Sequence, residues 1–145
     1  MKPSKWGPYA WVFLHSITFN YPVNPSKEVQ LQYKNFFESL QYVIPCDKCQ
    51  RNYQNKLVKF KLTDKVLKSR KNLIEWLIDI HNEVNKSTGK RILTYKEVID
   101  YYVDFYESKS PPANFQQQCS IMPNILSIFV TIIIALYFIK KKYLI

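Results

Sequence analysis

The residues of this chain best suited to chemistry are Cys46 and Cys49, which are separated only by Asp47 and Lys48. Two thiols at positions i and i+3 of a helix start can form a small-ring, reducible disulfide. The unpaired N–H groups and the dipole of a helix N-terminus also stabilise a thiolate. Pro45 stops the preceding helix directly before the pair. The spacing therefore predicts a redox pair, although zinc sites and structural disulfides use the same motif.

The alternatives to redox chemistry depend on what else the chain offers near the pair. A structural zinc ion takes four ligands, and the remaining candidates are His15, His81 and Cys119. The two histidines lie in separate segments and lack the short spacing usual for zinc ligands, so we expect no metal. A thioredoxin-like fold would need alternating strands and helices, which the sequence does not show. A zinc-stabilised module and a membrane-tethered helical adaptor without enzymatic activity remain the alternative hypotheses.

The composition excludes several other classes of protein. Hydrophobic residues make up 47% of the 145 residues, which is enough for the core of one domain. Only Gly7 and Gly89 are glycines, so neither a Rossmann fingerprint nor a P-loop is present. The net charge of +10 is compatible with an anionic cofactor or membrane surface. We expect no nucleic-acid partner, because the charge is spread along the chain. The exception is a lysine-rich run over residues 56–71, which we interpret as a solvated helix face and loop.

The elements that must position these residues are all predicted to be helices. Pro25 ends one helical region, Ser26 is a plausible N-cap, and Ser69 or Asn72 is another. Gly89 is typical of the position just after a helix, and Thr94 with Glu97 forms a capping box. The expected fold class is all-α: a four-helix bundle with a short fifth helix. Its predicted helices are Tyr9–Phe19, Lys27–Tyr42, Cys46–Phe60, a fourth up to Gly89, and a fifth from Thr94.

The C-terminal part of the chain has a different composition. We predict a domain over residues 1–107, a linker over 108–120, a transmembrane helix over 121–139 and a short basic tail over 140–145. The segment 121–139 carries no charge and as a helix would be about 28 Å long, close to the thickness of the hydrocarbon core. Three lysines follow it. We therefore expect a single-pass C-terminal membrane anchor.

Three blocks of sequence stand out when they are taken together. The first runs from Trp6-Gly7-Pro8 through Trp11 and Leu14-His15 to Tyr21-Pro22. The second is Pro45-Cys46-Asp47-Lys48-Cys49 with Tyr53 after it. The third runs from Trp76 through His81-Asn82-Glu83-Val84-Asn85 to Gly89-Lys90. In this order across residues 6–90 the three blocks are highly specific, and they resemble the Erv/ALR family of FAD-linked sulfhydryl oxidases.

The resemblance implies both a cofactor and a reaction. FAD would lie between helices, and a thioredoxin-like or other dithiol protein would reduce the Cys46–Cys49 disulfide through a mixed disulfide. Cys49 would face the flavin and Cys46 the substrate, and electrons would pass through FAD to O₂, giving hydrogen peroxide. The family usually forms homodimers. The FAD contacts carried over by position are Trp6, Gly7, Trp11, His15, Tyr21, His81, Asn82, Asn85 and Lys90.

Two departures from the family pattern limit what carries over. Many members have a second, structural disulfide and a shuttle cysteine pair on a flexible arm, whereas the third cysteine here is the lone Cys119. A single cysteine cannot store a disulfide, so we expect no catalytic role for it. The compact domain, the single anchor and the composition resemble the versions encoded by large cytoplasmic DNA viruses. That resemblance implies a location on a host membrane, facing the cytoplasm, and in the virion.

Overall fold

The computed structural model describes residues 1–108, so the predicted membrane segment, the basic tail and nearly all of the linker lie outside the described residues. Within residues 1–108 there are six helices and no strand, which confirms the all-α prediction. No helix in this range is long and apolar enough to cross a bilayer. The helices are α1 (Pro3–Phe19), α2 (Lys27–Val43), α3 (Asp47–Lys59), α4 (Asp64–Leu67), α5 (Arg70–Ser87) and α6 (Tyr95–Glu107).

The helix ends follow the capping signals in the sequence. The Ser26 hydroxyl accepts a hydrogen bond from Val29 N at 3.3 Å, and the Ser69 hydroxyl accepts one from Asn72 N at 3.3 Å. Thr94 and Glu97 form a reciprocal capping box, in which Glu97 N donates to the Thr94 hydroxyl at 3.2 Å and Thr94 N donates to the Glu97 carboxylate at 2.8 Å. Each cap satisfies backbone groups that have no partner inside the helix.

Two helices differ from the sequence prediction. α1 begins at Pro3 rather than Tyr9, so Gly7 and Pro8 lie inside it. Pro3 is favourable at the first helical position. Pro8 removes only one backbone hydrogen bond, and it does so near the start of the helix. α4 was not predicted, because a helix of 4 residues is too short to show a hydrophobic period.

The first of two compact units covers Met1–Val98, and its core takes buried side chains from α2, α3, α4 and α5, together with Tyr21 and Leu62 from the loops between helices. α1 packs against α5, α2 against α3, and α4 against both α2 and α5. α5 contributes more buried side chains than any other helix, and each fully buried aliphatic side chain stabilises the fold by about 1.5 to 3 kcal/mol. The second unit begins at Ile99, and within it the rings of Tyr101, Tyr102 and Phe105 pack on one another. The fully buried core side chains of the first unit include Tyr21, Phe37, Leu73, Leu77, Ile78 and Ile80.

Candidate active site

The two cysteines form a disulfide at the N-terminus of α3. Cys46 is the N-cap residue, and its Sγ accepts a hydrogen bond from Cys49 N at 3.3 Å. The Cα atoms are 5.1 Å apart, and both residues are half-buried. A thiolate of a partner protein can attack a disulfide in this position. The helix N-terminus then stabilises the cysteine thiolate that is released. The two cysteines of the predicted redox pair are therefore joined in the disulfide form that thiol–disulfide exchange requires.

The segment that leads into the disulfide is held in place by Gln50, the residue after Cys49. Its Nε2 donates hydrogen bonds to the Tyr42 carbonyl at 3.1 Å and to the Ile44 carbonyl at 2.9 Å. Tyr42 and Val43 are exposed, with 68% and 65% of their surfaces accessible. The turn before Cys46 is therefore both hydrogen-bonded to α3 and exposed.

A second cluster of predicted site residues joins α1 to α5. The Trp11 ring stacks on the His81 ring, with centroids 3.8 Å apart and planes 5° from parallel. A hydrogen bond of 3.1 Å links His15 Nε2 to His81 Nδ1, so one ring donates and the other accepts. His15 is fully buried. The three side chains come from two of the three sequence blocks, so the structure brings these predicted residues together.

Both histidines are held in the neutral form at physiological pH. Burial, and then the charge of His81, lower the pKa of His15 to about 3. Burial, and then the charge of Lys90, lower the pKa of His81 to about 4. Desolvation disfavours the charged form of a buried base, which explains both directions. A neutral pair of imidazoles can donate and accept hydrogen bonds without placing a charge between the helices.

The remaining residues of the third block position the loop after α5. Both ends of the Asn82 amide bind the backbone of Leu93, with Nδ2 donating to its carbonyl at 2.8 Å and Oδ1 accepting from its N–H at 3.0 Å. The Asn85 carbonyl accepts a hydrogen bond from Lys90 N at 2.8 Å. Gly89 lies between them with φ of 69°, a left-handed conformation that glycine adopts without strain. Together these contacts hold the exposed Lys90 side chain near His81.

Trp6, Gly7 and Tyr21 occupy different surroundings. Trp6 Nε1 is buried and has no hydrogen-bond partner among residues 1–108. A Cβ placed on Gly7 would meet no atom within 4 Å. Tyr21 instead lies in the core, where its hydroxyl donates to the Leu67 carbonyl at 2.8 Å. Tyr21 therefore has a structural contact of its own, and its predicted contact with a cofactor stays a prediction.

These features fit a large, flat cofactor better than a metal ion. The buried Trp6 N–H offers a donor that no residue of 1–108 uses, and a Cβ on the neighbouring Gly7 would meet no protein atom within 4 Å. The stacked Trp11 and His81 rings add aromatic surface with directed polar atoms. The residues described contain no group of three or more histidine, cysteine or acidic side chains that could hold a metal ion.

One prediction about the basic run over residues 56–71 is wrong. Lys56 is largely buried rather than solvated, with 9% of its surface exposed, and its Nζ donates to Asn52 Oδ1 at 2.8 Å. The available signal was the helical spacing, because Lys56 follows Tyr53 by three residues and lies on the same face of α3, whereas Lys59 and Lys61 are exposed as expected. The Gln50 contacts were also missed, since a polar side chain that binds the backbone of a preceding turn has no sequence signature.

The helical fold and the half-buried disulfide at a helix N-terminus define an all-helical thiol–disulfide redox protein. The sequence profile of the Erv1 / Alr family matches residues 8–104. The chain therefore belongs to the Erv1/Alr family. This match includes Cys46 and Cys49, both histidines, and all of the predicted cofactor contacts except Trp6 and Gly7.

Similar proteins include viral and cellular members of the family. The chain is 53% identical over 100 residues to the probable FAD-linked sulfhydryl oxidase R368 of Acanthamoeba polyphaga mimivirus, covering 69% of this chain and 70% of that protein. It is 32% identical over 84 residues to the mitochondrial FAD-linked sulfhydryl oxidase erv1 of Schizosaccharomyces pombe, covering 58% of this chain and 46% of that protein. The crystal structure of the FAD-binding domain of Erv1 from Saccharomyces cerevisiae superimposes with a TM-score of 0.62 at 25% identity, covering 66% of this chain and 89% of that one.

Proposed function

We propose that this protein is an FAD-dependent sulfhydryl oxidase, which forms disulfides in other proteins and transfers the electrons to O₂. The observation that carries the proposal is the Cys46–Cys49 disulfide at the start of α3 in a member of the Erv1/Alr family. The relatives that carry the name FAD-linked sulfhydryl oxidase support it. The substrate class is a dithiol protein, such as a thioredoxin-like carrier.

The chain's own residues have separate tasks in this reaction. A substrate thiolate attacks Cys46 Sγ, which breaks the Cys46–Cys49 bond and leaves a thiolate at Cys49; the second substrate thiol then resolves the mixed disulfide. FAD, when bound, would supply the two-electron acceptor between this pair and O₂. Trp11 and His81 would line one side of its site, with His15 hydrogen-bonded behind His81. Trp6 would donate a hydrogen bond and Lys90 would provide positive charge for the pyrophosphate.

The absorption spectrum of the purified full chain tests this function directly. We expect a flavin band that a dithiol bleaches and air restores. The matched Cys49→Ser variant should keep the band, because it retains the aromatic and histidine contacts, but should not be bleached by the same dithiol. A colourless protein that stays colourless after refolding with FAD would contradict the proposal and favour a tethered adaptor or a zinc-stabilised module.

We also propose a homodimer. α1 exposes Tyr9 and Phe13, with 58% and 60% of their surfaces accessible, and α2 exposes Leu31 at 57%. Tyr9 and Phe13 lie one turn apart on the same face of α1. The rings of Phe13 and Phe36 of α2 pack edge to face, with their centroids 6.5 Å apart. An apolar face of this kind suits a second copy of the chain. Sedimentation of the wild type and of a Phe13→Asp variant would test it, with a monomeric wild type contradicting the proposal.

The location of the protein is the remaining proposal. The uncharged segment 121–139 followed by three lysines supports a C-terminal membrane anchor, so that residues 1–107 would face the host cytoplasm and enter the virion with the membrane. Alkaline carbonate extraction of membranes from cells expressing the full chain would test the anchor. Release of the protein into the soluble fraction would contradict it.

A further inference from the structure

The strongest unexplained feature outside the residues assigned above is the buried lysine of α3. Lys56 has 9% of its surface exposed, while Lys59, one turn further along the same helix, is exposed and pairs with Glu83 at 3.0 Å. The hydrogen bond that its ammonium group makes is only partly buried, so the aliphatic stem is covered by the protein while the charge lies at the edge of the buried region. No carboxylate lies within salt-bridge distance of Lys56 among the ion pairs of residues 1–108. Its one hydrogen bond in this region is to the neutral amide of Asn52.

The position of Lys56 on α3 relates it to the redox pair. Cys49 and Lys56 are seven residues apart, which is about two helical turns, so both lie on the same face of α3. Asn52 lies between them, about 4.5 Å along the axis from Cys49. The hydrogen bond of 2.8 Å to Asn52 Oδ1 draws the Lys56 ammonium back along the helix, which brings the positive charge about one turn closer to Cys49.

The α5 side chains near this charge do not neutralise it. Glu83 senses this charge, because its pKa is lowered first by the hydrogen bond from Lys59 and then by the charges of Lys59, Lys86 and Lys56. One carboxylate therefore faces three lysines, and it is already paired with the exposed one. The net charge in this part of the molecule is positive. Of these three lysines, Lys56 is the one that lies on the face of α3 that also carries Cys49.

We propose that Lys56, tethered by Asn52, is a positioning residue that stabilises the thiolate form of Cys49 after the disulfide is reduced. This inference rests on the proposed oxidase function. In that step the substrate dithiol forms its own S–S bond and the Cys46–Cys49 bond breaks, so two electrons move to this pair. One proton remains on Cys46 as a thiol and the other goes to solvent, which leaves Cys49 as a thiolate opposite a fixed positive charge.

The test isolates one thiol. The chain has three cysteines, so the full chain with Cys46→Ser and Cys119→Ser carries Cys49 alone, and serine retains the N-cap. The pKa of Cys49 follows from its ultraviolet thiolate absorbance and its rate of alkylation across a pH series. In this background Lys56→Met should raise that pKa by about one unit, as expected for charges about 10 Å apart, the two-turn spacing of these residues, at an effective dielectric constant of about 20. Alkylation at a pH well below both pKa values should slow about tenfold.

The controls separate an electrostatic effect from a structural one. Lys56→Arg keeps the charge and should keep the pKa of Cys49 low, and Lys59→Met removes an exposed charge on the same helix and should change it little. If Lys56→Met does not fold, Asn52→Ala, which releases the ammonium from its tether, should raise the pKa by part of the same amount. An unchanged pKa in folded Lys56→Met, or in Asn52→Ala, would overturn the proposal. None of these measurements uses FAD or O₂, so they can fail while the wild-type spectrum still supports the oxidase.

Discussion

Acidification from about pH 7.5 to about pH 5 should destabilise the folded protein through its two histidines. The chain contains two histidines in total, and burial lowers the pKa of His15 to about 3 and that of His81 to about 4. In the unfolded chain both return to the ordinary value of 6.5. Because the folded pKa is the lower one, the neutral histidines favour folding above pH 6.5, and this contribution is lost as the pH falls toward 4.

The size of the effect follows from the pKa differences. At about pH 5 each unfolded histidine is protonated and each folded one is still neutral, so the loss is about 1.5 units at about 1.4 kcal/mol per unit. That is about 2 kcal/mol for each histidine. The hydrogen bond between the rings couples the two titrations, so we expect a combined loss of about 2 to 4 kcal/mol.

Urea unfolding of the protein with its disulfide intact, measured across this pH series, checks the prediction. The window ends near pH 5 because carboxylates contribute below it, Glu97 in particular, whose pKa its hydrogen bonds with Thr94 and then Arg91 lower to about 2. A His81→Gln variant loses one of the two titrating rings and should show a pH dependence about half as steep. A free energy of unfolding that stays constant between pH 7.5 and 5 would refute the reasoning, as would a histidine NMR titration near the ordinary value.

Two further predictions concern single residues of the site. Gly7→Ala should stabilise the cofactor-free protein by about 0.5 to 1 kcal/mol, because a Cβ there meets no atom within 4 Å and alanine favours the helix; thermal unfolding measures this. The same variant should weaken FAD binding in a fluorescence titration, and an unchanged affinity would remove Gly7 from the site. Asn82→Ala should cost about 2 kcal/mol, because both hydrogen bonds to the Leu93 backbone are lost. Hydrogen exchange should then accelerate at Leu93, and protection equal to the wild type would show that other contacts hold the loop.

Much of this protein could be predicted from the sequence because the signals are local. Ser26, Ser69 and the Thr94–Glu97 pair cap helices through atoms within a few residues, and Gly89 takes the left-handed conformation that ends a helix. The Cys46–Cys49 disulfide closes across a single helical turn. Capping and short-range ring closure depend on neighbours in the chain, so residue types and spacing are sufficient to determine them.

The arrangement of the site depended on contacts that only the tertiary structure provides. The hydrogen bond between His15 and His81 joins residues 66 positions apart, and Trp11 meets His81 only because α1 packs against α5. The burial of Lys56 also depends on packing, because a lysine on the same helix face as Tyr53 can still extend into water, and only the packed structure shows it covered while Lys59 is exposed. Types and spacing therefore determined which residues can react, whereas helix packing decided which of them meet, which lose their water and which pKa values shift.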